Sequence, residues 1–144
     1  MSDWLVTLMP TMNAVGLRPR GGMYFLPRDR VPVYHALAEA LHAATAHSLY
    51  EVPALQTKDA VRAVLDAITR EAAGEAELME LALDTGELGA RALKAKVRGC
   101  EAMMAKVASY EELLGQSLPE LQDRLKVLNR QLTIAALQAA QPKV

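Results

Sequence analysis

Residues 16–27 read Gly16-Leu-Arg-Pro-Arg-Gly-Gly-Met-Tyr-Phe-Leu-Pro27, and this stretch alone combines strand formers with strong turn signals. Val15 and Leu17 alternate with small or charged neighbours, Arg20-Gly21-Gly22 marks a turn, and Met23 to Leu26 is a short apolar run closed by Pro27. Gly-Gly accepts the positive φ values of a tight hairpin turn, and proline cannot donate to a strand ladder. The spacing predicts a β-hairpin over 12–27 with the turn at the two glycines.

Outward from the hairpin, the chain divides by its aromatic residues. Trp4, Tyr24, Phe25, Tyr34 and Tyr50 all precede residue 57, and Tyr110 alone follows it. Large rings suit a small mixed head, whereas helix seams can be filled by Leu, Val, Met and Ala. Residues 2–9 suggest a short helix capped by Ser2 and ended by Pro10. Pro32 suits a first helical turn, and Val33, Ala36, Leu37, Ala40, Leu41 and Ala44 continue a helix over 32–46. Ser48 to Leu55, interrupted by Pro53, is expected as a third, edge strand that buries Tyr50 with Phe25 against that helix.

From Thr57 onward the pattern is helical. Thr57 is a capping residue, and Val61, Val64, Leu65, Ile68, Ala72, Leu78, Met79 and Ala82 form the stripe of a helix over 57–83. Leu93, Val97, Cys100, Met104, Val107 and Leu114 form a seam over 90–114, with Tyr110 or Glu111 in its missing place. Ser117-Leu-Pro-Glu120 resembles a capping box, and Leu118, Leu121, Leu125, Leu128, Leu132, Ala135 and Ala139 continue over 117–140. Helices of this length reach ~36–40 Å, and short links make sequential neighbours antiparallel. The expected fold class is mainly α (α+β): a small head over 1–56, then an elongated antiparallel bundle of three long helices over 57–144 with coiled-coil-like seams. The two parts are expected to fold as one unit.

Composition limits the function. The 144 residues are 51% hydrophobic with a formal net charge of -1, which argues against a globally basic nucleic-acid binder. Cys100 is the single cysteine, so no internal disulfide is possible, and its place in an apolar seam fits a buried thiol. Asp3 stands where a basic leader would begin and Pro10 interrupts the first apolar residues, so a cytoplasmic chain with no membrane span is expected.

Chemistry-bearing motifs are sparse. His35, Glu39 and His42 share a helix face without an HExxH pattern, and P-loop, GxGxxG and GxSxG sequences are absent from the chain. The sequence reads as non-enzymatic, with no cofactor or metal expected. Charge is more suggestive. Arg18, Arg20, Arg28 and Arg30 flank the hairpin and could contact phosphates, although arginines also protect exposed strand edges. Seven acids between Asp66 and Glu87 precede Arg91, Lys94, Lys96 and Arg98, so an antiparallel helix pair should set opposite charges side by side. Arg91, Lys94 and Arg98 are otherwise candidates to contact nucleic acid or an acidic partner.

The run Arg18-x-x-Gly21-Gly22-x-Tyr24-Phe25-x-Pro27, with the later Lys106-x3-Tyr110-x2-Leu113-Leu114, resembles the C-terminal part of a family of uncharacterised phage and plasmid proteins. That family usually shows Gly-Gly-Val-Tyr-Phe-Val-Pro, where this chain has Met23 and Leu26. The resemblance covers residues 12–138 and implies a mobile-element protein, in the host cytoplasm if phage-encoded. It implies no catalytic residue. The favoured function is a protein-interaction or assembly module, with a nucleic-acid-binding accessory protein as the alternative. Val127, Ile134 and Leu137 lie off the last seam, at spacings of seven and three, and favour a homodimer.

Overall fold

The computed structural model describes residues 3–142, and the Ser2 cap lies outside them. Among these residues the chain is mainly α-helical with one two-stranded antiparallel hairpin. Helix α1 (Asp3–Leu8) ends before Pro10 and runs into a 3-10 turn, Met9–Met12, whose first turn tolerates that proline. Asn13 closes the turn at φ 57, a left-handed conformation that its short polar side chain permits, and its N–H bonds to Pro10 O at 3.0 Å.

Strand β1 (Val15–Gly16) pairs with β2 (Tyr24–Phe25), with Val15 opposite Phe25 and Gly16 opposite Tyr24. The hairpin is real, but it does not turn on a two-residue Gly-Gly corner. A loop over 17–23 joins the strands, held at its base by Leu17 N–H to Met23 O at 3.0 Å, and Gly21 takes a φ of 109. Pro19 explains the difference, because a residue with fixed φ and no donor cannot extend the ladder toward Gly21.

A 3-10 turn, Arg28–Arg30, then leads into α2 (Val31–Ala44), with Pro32 in its first turn. Leu41 joins Leu5, Met9, Met12 and Ala14 in a core, against which Leu8, Tyr24, Leu26, Leu37 and Leu49 pack. The expected third strand is not formed: residues 47–57 contain neither helix nor strand, and Tyr50 is 86% exposed. A ladder only two residues long offers a poor edge to extend, and Pro53 lacks a donor. Leu49, not Tyr50, reaches the core.

Thr57 begins α3 (Lys58–Thr85) as read from the sequence, its Oγ1 accepting the Ala60 N–H at 3.1 Å. Two more helices follow, α4 (Ala90–Leu114) and α5 (Pro119–Ala140). The chain gathers into two compact units, Met1–Ala67 and Ile68–Val144. Residues 58–67 of α3 thus cluster with the first unit, whereas the sequence pattern divides the chain at 56/57.

Within the second unit, two contacts fix α3 and α4 as antiparallel: Lys106 Nζ lies 2.6 Å from Glu71, and a Cβ on Gly99 would lie 3.5 Å from Met79 Cε. Cys100 bonds across to the Leu125 carbonyl and Glu111 to Leu118, so α5 returns antiparallel to α4. The buried set is Ile68, Ala72, Ala76 and Met79; Leu93, Cys100, Val107 and Tyr110; and Leu125, Leu128, Leu132 and Ala136. Tyr110 fills the missing seam place. Leu78 is 58% exposed, so Ala76 and Met79 carry the α3 stripe where Leu78 was expected to contribute. On α5 the buried row passes from Leu132 to Ala136 rather than Ala135, because a straight helix of 3.6 residues per turn drifts off a heptad.

Gly115 ends α4 at φ 63, and nothing lies within 4 Å of where its Cβ would stand. Gly115→Ala is therefore expected to cost about 1 kcal/mol through the backbone alone. Urea unfolding checks this, and Gly74→Ala, at an open position inside α3, should shift stability the opposite way.

Candidate interaction surfaces

The four hairpin arginines are exposed but do not form one ribbon. Arg18 and Arg20 occupy the 17–23 loop at the closed end of the ladder, while Arg28 and Arg30 lie past its open end, in the 3-10 turn. Arg30 Nε also lies 3.4 Å from Asp29. With only two paired residues per strand, there is no long ribbon to line up four guanidinium groups for a groove.

Arg91, Lys94 and Arg98 share the exposed face of α4, away from Leu93, Cys100 and Val107. The expected pairing of this basic run with the α3 acids does not form among the described residues. The ion pairs instead use Lys106 with Glu71, and Arg124 with Glu80. Periodicity explains the outcome: residues 91, 94 and 98 point outward, whereas residue 106 stands at the α3 boundary. Lys106 is only 10% exposed at its side chain, so it does not extend the basic surface.

Arg124 grips Glu80 with two bonds, Nε to Oε1 at 2.9 Å and Nη2 to Oε2 at 2.7 Å. That hydrogen-bonded contact lowers the Glu80 pKa and raises that of Arg124. Both groups are about 40% exposed, so the pair contributes ~0–1 kcal/mol and mainly fixes how α5 lies on α3.

A polar joint missed by the sequence reading links α4 to α5. Glu111 accepts the Gln122 side-chain amide at 2.7 Å, the Leu118 N–H at 2.9 Å and the Ser117 hydroxyl at 3.5 Å. The expected Ser117–Glu120 capping box is thus replaced, since Leu118 is the N-cap and Ser117 turns toward Glu111. One signal was available. An acid in the last turn of a helix opposes the helix dipole, so Glu111 needs a donor elsewhere, and the start of α5 supplies it.

The bond from Gln122, then that from Leu118, holds the Glu111 carboxyl below its ordinary pKa. A depressed folded-state pKa contributes stability above the unfolded-state value, and that contribution is lost as pH falls through the folded-state value. Glu111→Gln is therefore expected to flatten the acid limb of the melting temperature measured against pH. An unchanged acid limb would contradict this role.

His35 Nε2 lies 2.6 Å from Glu51 Oε2 rather than joining Glu39 and His42. Burial, then the Glu51 charge, raises the Tyr34 pKa. The fully buried Cys100 has its thiol pKa pushed up by burial and then by Glu101, and it donates to Leu125 O at 3.4 Å, which fits packing rather than nucleophilic attack. Among the described residues, no three His, Cys, Asp or Glu side chains are placed to share a metal ion. None of the described helices is long and apolar enough to cross a membrane.

Exposed apolar surface is the more informative feature. Val127, Ile134 and Leu137 are 54%, 49% and 63% exposed on α5, while Leu125, Leu128 and Leu132 fill its buried side. At 100° per residue, Val127 and Ile134 lie on the side of the helix opposite that seam. The seam and the outer row are distinct surfaces.

The chain belongs to a family of unknown function, DUF6744, whose profile matches residues 1–142. No curated protein and no solved structure matches it.

Proposed function

We propose that the chain is a non-enzymatic protein-interaction or assembly module of a phage or related mobile element, working in the host cytoplasm through helical packing. The observation that carries this reading is the outer row of α5. Val127, Ile134 and Leu137 remain about half exposed or more although the intramolecular seam is already occupied. Large apolar side chains aligned on one helix face are suited to a second helix, from another copy or from a protein partner. The mobile-element assignment rests on the hairpin motif and the late Lys106–Leu114 element described from the sequence.

Sedimentation across a concentration series tests the self-associating form. At high salt, where contacts between exposed charges are screened, the native chain is expected to form a homodimer, and Val127→Asp/Ile134→Asp/Leu137→Asp to remain monomeric with its helix content intact. A monomer mass at all concentrations for the native chain would reject the homodimer.

A nucleic-acid-binding accessory role is the alternative, supported by exposed Arg18 and Arg20 on one loop and exposed Arg28 and Arg30 nearby in sequence. Labelled duplex and single-stranded DNA should then bind at low salt and release steeply as salt rises, with binding lost when all four arginines become alanine. Absence of binding at low salt would reject it.

A further inference from the structure

Among the described residues, Arg91, Lys94 and Arg98 of α4 form no ion pair with Glu75, Glu77 or Asp84 of α3, and the surroundings of the two charge sets also match. Leu78 and Leu81 are 58% and 60% exposed on α3. Exposed Glu77 and Asp84 bracket Leu81 at helical spacing, and exposed Glu75 adds a third acid to the same stretch. On α4, the exposed face repeats as Arg91, Ala95, Arg98 and Ala102, with Lys94 beside it. One face is a pair of leucines with an acidic rim; the other is a row of small residues with a basic rim.

One member of each charge set also opposes its own helix. The last turn of α3 has no basic residue, and Asp84 stands there; the first turn of α4 has no acidic residue, and Arg91 stands there. Acids near a C-terminus and bases near an N-terminus are each disfavoured by the helix dipole. A contact that brings the two faces together offsets both.

We infer that the acid-rimmed leucine face of α3 docks on the base-rimmed alanine face of α4 in a second copy of this chain. This deepens the assembly reading and rests on it. Leucines can seat over alanines, and the opposing rims select the orientation and discourage acid-on-acid or base-on-base contact. Because the faces are unlike, each contact joins α3 of one copy to α4 of another, either reciprocally across a twofold axis or once per copy in a ring or open chain, and it does not use the α5 row.

The test uses the full chain carrying Val127→Asp/Ile134→Asp, so that the α5 row is silent. One variant of this parent reverses the bases, Arg91→Glu/Lys94→Glu/Arg98→Glu, and a second reverses the acids, Glu75→Lys/Glu77→Lys/Asp84→Lys. Circular dichroism confirms that each remains helical. In sedimentation velocity at low salt, the parent is expected to grow in mass with concentration and to lose that growth at high salt. Each reversed variant alone should stay monomeric, and an equimolar mixture should associate again. A monomeric parent, a reversed variant that associates like the parent, or a mixture that stays monomeric would each overturn the inference. The α5 reading is judged separately, from the native chain.

Discussion

Tyr110→Ala is expected to destabilise the second unit by about 3–5 kcal/mol, the range for removing a large buried aromatic side chain. Tyr110 has no exposed surface, and it is the only aromatic residue after Tyr50, so no other ring can fill its space. Its cavity would open in a seam otherwise built from Leu93, Cys100 and Val107 on the same helix. Close packing leaves few neighbours able to collapse into such a void. Urea unfolding reads the effect, and melting temperature should fall by about 4–8 °C for each kcal/mol in a unit of this size. Leu113→Ala is the internal comparison. That side chain is 47% exposed and should change stability by no more than about 0.5 kcal/mol. If the two substitutions cost the same, Tyr110 is not the packing centre that its burial indicates.

The helices were legible because their apolar residues repeat over many turns. The apolar repeat predicts α4 over the residues it occupies, and the Thr57 cap is recognisable from one hydroxyl before a long stripe. Features that depend on two distant pieces of chain were harder to read. Tyr50 and Val52 have strand character, yet the ladder they were expected to join ends after two residues per strand. The hairpin arginines are adjacent in sequence but separated by the ladder itself. Charge was misleading in the same way. Abundant acids before a turn and bases after it suggested pairing across the turn, but helical phase turned Arg91, Lys94 and Arg98 outward and selected Lys106. The α5 outer row was legible because it is local, requiring only that Val127, Ile134 and Leu137 fall outside the seam phase.

Lys106 and Glu71 permit a sharper test of how charge acts in this fold. Their side chains are 10% and 30% exposed and meet at 2.6 Å, so they are far less hydrated than Arg124 and Glu80. Removing one member should cost more than the pair itself contributes, because the remaining charge loses its partner in a partly dry site. Lys106→Met keeps most of the aliphatic stem and is expected to cost about 1–3 kcal/mol, below the range for fully buried pairs because Glu71 retains some water. Lys106→Met/Glu71→Leu should recover most of that loss, since the isolated carboxylate is gone and apolar atoms take its place. The pair then acts chiefly as a register device: sliding α4 along α3 by one turn would strand both charges while leaving apolar residues that could repack. Urea unfolding of the two single variants and the double variant measures the coupling. A double variant as unstable as the sum of the singles would show that the two side chains act independently, and the register would have to be set by Met79 against Gly99 instead.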